Sequence, residues 1–249
     1  MDDGCWSCKR CDHLTSVTVG TVFNRNRTAL KDLFTAAWYM TEQKDGISAN
    51  DLQQKLRLNT YHTAWSILHK LRAAMGSYLE PLVGHVEFDI ARVGRNQIAI
   101  AVQIVRSGGQ PQIRLHRVCD HSPYALLQLV GKIVLPRHAA VQTDKIDAHS
   151  LIAAGYRVCV AQAHESSPHG SLKAADVVGQ LNTWLSCTYR GAGRITAKHL
   201  DSYLDEFCFL FNFRGSAWPG HLFHILLKAA LDASPTRCRP SRAKIDMNK

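Results

Sequence analysis

The sequence predicts an α/β chain built on a mixed sheet with flanking helices, and three observations carry that expectation. Residues 84–90 alternate strictly: Val86, Phe88 and Ile90 point one way, Glu87 and Asp89 the other, which is the period of a half-buried strand. Two further β-branched stretches follow, residues 97–105 and 113–117, separated by a turn at Gly108-Gly109. Beyond them, strand-like and helix-like periods alternate.

Taken in order, the chain opens on Cys5, Cys8 and Cys11, spaced C-x2-C-x2-C, with His13 two residues on. Thiolates on a tight turn can share a zinc ion, but a structural site needs four ligands, and this segment offers one knuckle and a half. A frayed terminus is the competing reading. Residues 15–23 are rich in Val and Thr and read as a short β-ribbon turning at Gly20.

The period then changes. Leu30, Leu33, Phe34, Ala37 and Trp38 recur at helical spacing, and Gly46 ends that region. Ser48-Ala49-Asn50-Asp51 has the form of a capping box opening a second helix. Asn59 or Thr60 caps a third, with Tyr61, Trp65, Leu68, Leu71 and Met75 on one face and His62, Ser66, Lys70 and Ala73 on the other. This is the pattern of a helix-turn-helix unit, whose second helix would present His62, Thr63, Ser66 and Lys70 to a DNA groove. A plain helical hairpin with a wet outer face gives the same pattern.

After the three strands, Ser122-Pro123 caps a helix through Leu126, Leu127 and Val130. A fourth strand, residues 139–144, ends on Asp144. A short helix stopped by Gly155 follows, then a fifth strand over 156–161 and a loop over 164–170. Two helices, 172–188 and 196–213, come next. The order β-β-β-α-β-α-β-α is that of an RNase H-like fold, in which the first and fourth strands lie side by side. Asp89 and Asp144 would then reach one divalent cation, with a third ligand supplied by the helix after the fifth strand. Mg²⁺ or Mn²⁺ takes oxygen ligands and keeps part of its water, so two or three carboxylates suffice. A final helix carries Leu222, Phe223, Ile225, Leu226 and Ala229, and a basic tail with two prolines closes the chain.

Charge narrows the partner. Lysine and arginine outnumber aspartate and glutamate by 30 to 20, a formal net charge of +10. The excess points to a polyanion, nucleic acid being the usual one and an anionic membrane surface the competitor. No apolar run reaches the ~18 residues of a membrane-spanning helix. The first residues lack the order of a signal peptide, so reduced thiols and a cytoplasmic location are expected.

At this point the residues resemble a known family, the bacterial insertion-sequence transposases with an ISXO-like DDE domain. The resemblance runs over nearly the whole chain. It rests on Trp6, Cys8 and Cys11; on Ser16-Val17-Thr18-Val19-Gly20-Thr21-Val22-Phe23; on Ile47-Ser48-Ala49 and Thr63-Ala64-Trp65; on Val86-Glu87-Phe88-Asp89 and Thr143-Asp144. It continues through Leu181, Trp184 and Leu185, then Lys198-His199-Leu200, Tyr203-Leu204-Asp205-Glu206-Phe207, and Phe211, Asn212 and Arg214. What it implies is Mg²⁺-dependent cleavage and joining of DNA at element ends. Asp89 and Asp144 match the catalytic aspartates and Gln180 stands at the third position. Cys8 and Cys11 match a zinc ribbon, and the catalytic subunits usually act as a homo-oligomer. The partners implied are terminal repeats and target DNA, in a bacterial cytoplasm beside the chromosome.

The departures are specific. Ile90 follows Asp89 where the family has an acidic residue, Gln180 stands for Asn or Glu, and Asn182 stands for a lysine. Asp176, one turn before Gln180, is a substitute third ligand. Three readings follow: a DDE transposase, a remnant that binds DNA with its chemistry lost, and a different RNase H-like nuclease. The expected organisation is a partial zinc ribbon (1–25), a helical DNA-binding unit (26–78), an RNase H-like domain with C-terminal helices (79–233) and a disordered basic tail (234–249).

Overall fold

A computed structural model describes residues 5–24, 26–43, 46–105, 109–159, 172–191, 195–215 and 220–234. Its centre is a five-stranded sheet of β3 (Leu82–Val93), β4 (Asn96–Ile104), β5 (Ile113–Val118), β6 (Val134–Gln142) and β7 (Arg157–Val158), ordered β5-β4-β3-β6-β7. The β3–β4 and β4–β5 pairs are antiparallel, and the β3–β6 and β6–β7 pairs are parallel. This mixed sheet with flanking helices is compatible with an RNase H-like fold. Gly84, at φ +78°, sits where the β3–β6 register shifts, a bulge conformation that a side chain would strain.

Alternation along the strands divides two cores. Val86 and Phe88 pack with Ala99, Ala101 and Val141 beneath α4 (Pro123–Ile133) and α5 (Ala148–Ala153). On the other face, Ile98, Ile100 and Val102 pack with Val177 and Leu181 of α6 (Ala174–Tyr189) and Phe207 and Phe209 of α7 (Ala197–Asn212). Local chemistry starts these helices where the sequence indicated. Ser122 accepts from the Ala125 N–H with Pro123 in the first turn, and Asp147 accepts from the Ser150 N–H. Side-chain caps of this kind contribute ~1 kcal/mol each.

The second core continues into α1 (Leu30–Glu42), α2 (Ala49–Leu56), α3 (Tyr61–Tyr78) and α8 (His221–Asp232). Within α1 the buried residues are Leu33, Ala36, Ala37 and Met40, while Leu30, Phe34 and Trp38 stay about two-fifths exposed. Ser48 caps α2 as expected, accepting from the Asp51 N–H, but its hydroxyl, not its backbone N–H, donates to the Asp51 carboxylate. The residues expected as the outer face of α3 are not uniformly wet: His62 is exposed, but Ser66, Lys70 and Ala73 are half-buried. From Ala64 to Met75 the helix buries Ile67, Leu68, His69, Leu71 and Arg72 against α7 and α8 as well as α2.

The β-ribbon is displaced from its predicted place. It pairs β1 (Cys5–Ser7) with β2 (Leu14–Ser16), and residues 17–24 are turns. Gly20 adopts φ +83° and the Thr21 hydroxyl donates to the Thr18 carbonyl, which closes the backbone into a turn. The Val22 N–H then donates to the Ala230 carbonyl of α8, docking Val22 and Phe23 in the core. The fourth strand starts five residues earlier than expected, at Val134, and ends before Asp144. Of the fifth, Arg157 and Val158 form the described strand. Its continuation past 159, the 164–170 loop and the tail from 235 lie outside the described residues.

One buried ion pair joins the helical layers. Arg72 Nε donates to Glu206 Oε2 at 2.7 Å, with the two side chains 1% and 0% exposed. Arg72 Nη2 donates to the Tyr189 hydroxyl at 3.1 Å, that hydroxyl donates to Glu206 Oε2 at 3.0 Å, and the guanidinium lies 4.0 Å from the Tyr203 ring centroid. Removing one partner strands the other charge in the core, which costs ~3–5 kcal/mol. Arg72→Met alone is therefore expected to lower the unfolding free energy measured by urea denaturation by that amount, and Arg72→Met with Glu206→Leu to recover most of it. Equal losses in the single and double variants would rule the pairing out as the cause.

His69, one turn before Arg72, meets Trp65 at a tilt with ring centroids 3.8 Å apart and His199 edge-on at 4.8 Å. Burial, then the charges of Arg72 and His199, push its imidazole down from 6.5 to about 3. A depressed histidine is neutral when folded, so its contribution is complete above the unfolded value and is lost as pH falls from about 6.5 towards 3. Asp205 has the opposite sign: burial raises it to about 6, and stability from that group grows as pH falls towards its ordinary value. His69→Phe is expected to flatten the acid loss relative to wild type between pH 6.5 and 4, with Asp205 common to both proteins. Parallel stability–pH curves would refute the assignment.

Candidate active site

Asp89 and Asp144 emerge at the same end of neighbouring parallel strands. The register pairs Val86 with Val141 and Glu87 with Gln142, so two residues further along each chain stand Asp89 and Asp144. Val86 and Phe88 bury themselves towards α4, which turns Glu87 and Asp89 towards the α6 side of the sheet. After β6 the chain bends: the Thr143 hydroxyl accepts from the Lys145 N–H at 3.1 Å, and Ile146 is buried beneath the turn.

Lys145 fills the space between the two carboxylates. Its ammonium lies 3.0 Å from both Asp144 oxygens and 3.5 Å from Asp89 Oδ1. One compact cation thus reaches both groups. The hydrogen bond from Lys145 holds the Asp144 carboxyl below its usual range, and the same bond raises the lysine. Asp144 is 80% exposed, Asp89 41% and Lys145 35%, so the cluster faces solvent. The Ile90 N–H donates to Asp89 Oδ1 at 2.7 Å.

Glu87 adds a third acidic group nearby. Burial raises its carboxyl, the Ala174 N–H at the start of α6 opposes that shift, and the negative charge of Asp89 adds to it. Asp176 in the same first turn accepts from the Lys173 N–H at 3.0 Å, so its carboxylate caps the helix. Asp89 and Asp144 are the carboxylates that could hold a small divalent ion, with water filling the rest of its shell. No group of three or more His, Cys, Asp or Glu side chains suited to a metal is gathered among the described residues.

Gln180 is exposed on α6. It lines a groove of about 1020 Å³ with Thr41, Glu42, Asp176, Phe211 and Arg214, and neither Asp89 nor Asp144 is on its walls. Reading the sequence singled out both aspartates but not Lys145, although its place beside Asp144 was the available signal.

Cys8 and Cys11 are exposed in the turn of the ribbon, where the Cys11 N–H and the Asp12 N–H donate to the Cys8 carbonyl. Backbone N–H groups of Arg10 and Cys11, with the Cys11 thiol, lower the Cys8 thiol. A tetrahedral zinc site needs four ligands, and these two thiols are two. At the other proposed contact surface, the Thr60 hydroxyl accepts from the Thr63 N–H and pairs with the Thr63 hydroxyl, and the Lys70 ammonium donates to the Asn24 carbonyl at 3.4 Å. Tyr61 and Trp65 beside them line a polar cleft of about 680 Å³ that also takes in Arg190 and His199.

No helix among the described residues is long and apolar enough to cross a membrane. No protein-family model matches the chain, and no curated protein matches it. Among solved structures, the chain is similar to one from a simian T-cell lymphotropic virus intasome in complex with the PP2A regulatory subunit B56 gamma. That similarity covers 88% of this chain and 78% of the other at 14% identity and a TM-score of 0.32.

Proposed function

We propose that this chain is a transposase-type DNA-processing protein in which Asp89 and Asp144 hold a divalent cation at the end of an RNase H-like sheet. The observation that carries the reading is the convergence of the two aspartates on a single ammonium from adjacent parallel strands. The net charge of +10 supports a nucleic-acid partner.

The chemistry a bound Mg²⁺ or Mn²⁺ supplies is neutralisation of phosphate charge and alignment of the attacking and leaving oxygens. The chain's own part is positional. Asp89, in a continuous strand, is the fixed carboxylate, and Asp144, on the turn anchored by Ile146, is the more exposed one. Glu87, near the Ala174 N–H that favours its charged form, keeps a further acidic group beside them. Gln180, or Asp176 in its place, belongs to this proposal as the third polar partner. DNA contact would run through His62 and Thr63 at the exposed start of α3, with Ser66 and Lys70 behind them. Zinc at Cys8 and Cys11 would need two more ligands, and a homo-oligomer on DNA ends completes the reading.

The second reading, a DNA-binding remnant without chemistry, is favoured by the two-carboxylate donor set and by the lysine between its members. Incubation with labelled duplex DNA and Mn²⁺ or Mg²⁺ separates the two. The expected result is metal-dependent strand cleavage that drops ~100-fold or more in Asp89→Asn and Asp144→Asn, as removal of a charge-stabilising group does. Cleavage that survives both substitutions would sink the site. Salt-sensitive binding without cleavage, unchanged in the variants, would establish the remnant.

A further inference from the structure

We infer that Lys145 is a tethered cation that occupies the position between Asp89 and Asp144 that a divalent ion would take, so that an ion enters only as the lysine leaves. This rests on the reading of the aspartates as a metal site and concerns how that site is filled and emptied.

The geometry carries it. The ammonium is 3.0 Å from both Asp144 oxygens and 3.5 Å from Asp89 Oδ1, so its donors engage the lone pairs an ion would use. Without it, two carboxylates would face each other with Glu87 close behind, an arrangement of like charges that is unfavourable unless compensated. The backbone keeps the cation local, since Lys145 follows Asp144 directly and its N–H is tied to the Thr143 hydroxyl. Its side chain is 35% exposed, so the flexible stem can swing outward without any change in the strands.

Two consequences follow. An ion must outcompete a group that is always present, which raises the concentration at which the site fills. A displaced ammonium also becomes free to meet a phosphate of bound DNA, so DNA and metal bind with positive coupling. For exposed charges in contact, the competition is worth about tenfold in ion affinity.

Calorimetric titration of the full chain with Mn²⁺, with and without a short DNA duplex, tests this in wild type, Lys145→Met, Asp144→Asn and the double variant. The expected result is about tenfold tighter Mn²⁺ binding in Lys145→Met, loss of that gain in Lys145→Met/Asp144→Asn, and DNA-enhanced Mn²⁺ binding in wild type alone. Equal Mn²⁺ affinity in wild type and Lys145→Met, abolished by Asp144→Asn, would overturn the role of Lys145 and leave the metal site standing. Mn²⁺ binding absent from every protein, or indifferent to Asp144→Asn, would overturn the metal site and this inference with it.

Discussion

Among the described residues, Arg72 and Glu206 are the two charged side chains that the fold takes fully out of water, one on α3 and the other on α7. Isolated, either charge would be prohibitively costly in an apolar core. Together, with the Tyr189 hydroxyl bonded to both and the Tyr203 ring against the guanidinium, they are tolerated only while all these groups keep their places. Glu206 Oε1 and the Trp184 Nε1 remain buried without hydrogen-bond partners among the described residues. Both lie against Gly46, where a Cβ would meet the indole at 3.2 Å and the carboxylate oxygen at 3.4 Å. At φ +74° that glycine is required by conformation and by space alike.

The consequence is that α3 cannot behave as a recognition helix carried on a separate small unit. Its middle turns are core, shared with α7 and α8, and its fully exposed side chains are Tyr61 and His62 at the start and Ser77 at the end. Any nucleic acid meeting His62 and Thr63 therefore meets a surface rigidly joined to the sheet. The same integration draws in the N-terminal segment, since the Val22 N–H bonds to α8 and Phe23 packs in the core against Phe34. The exposed ribbon that carries Cys8 and Cys11 leads into this anchored stretch.

What the sequence made legible, and what it did not, follows from the range of the interactions involved. The strands β3, β4 and β5 were readable because alternation is local, and the Ser122 and Asp147 caps because a cap is a contact over three residues. The ribbon was misplaced because Val17 and Val19, β-formers by type, lie in turns fixed by Gly20 and Thr21 and stay half exposed. The early start of β6 was hidden because residues 135–138 lie between two registers: Val134 pairs with Leu82 and Ala139 with Gly84, and Arg137 between them takes φ +63°. The outer face of α3 was misjudged because Ser66, Lys70 and Ala73 are half-buried by contacts distant in sequence, the Lys70 ammonium meeting the Asn24 carbonyl 46 residues away. At the site, both aspartates were visible as strand-end carboxylates, whereas the contact of Lys145 with Asp89 exists only once two parallel strands are side by side.

One helix relates these two regions. At 16 residues, α6 spans ~24 Å at 1.5 Å per residue. Its first residue, Ala174, has its N–H near Glu87 beside Asp89, and its last residue is Tyr189, bonded to Arg72 and Glu206. Between these ends Val177, Leu181, Trp184 and Leu185 are buried against the sheet and α7, so the helix cannot slide without opening the core. Its position along its own axis is therefore set at the far end by a buried charge pair whose geometry admits little change. The near end inherits that position and places a positively polarised helix start against the acidic face of β3. The exposed carboxylates need only Lys145 or an ion to compensate them; the framework that holds them in register is fixed by charges buried on the far side of the molecule.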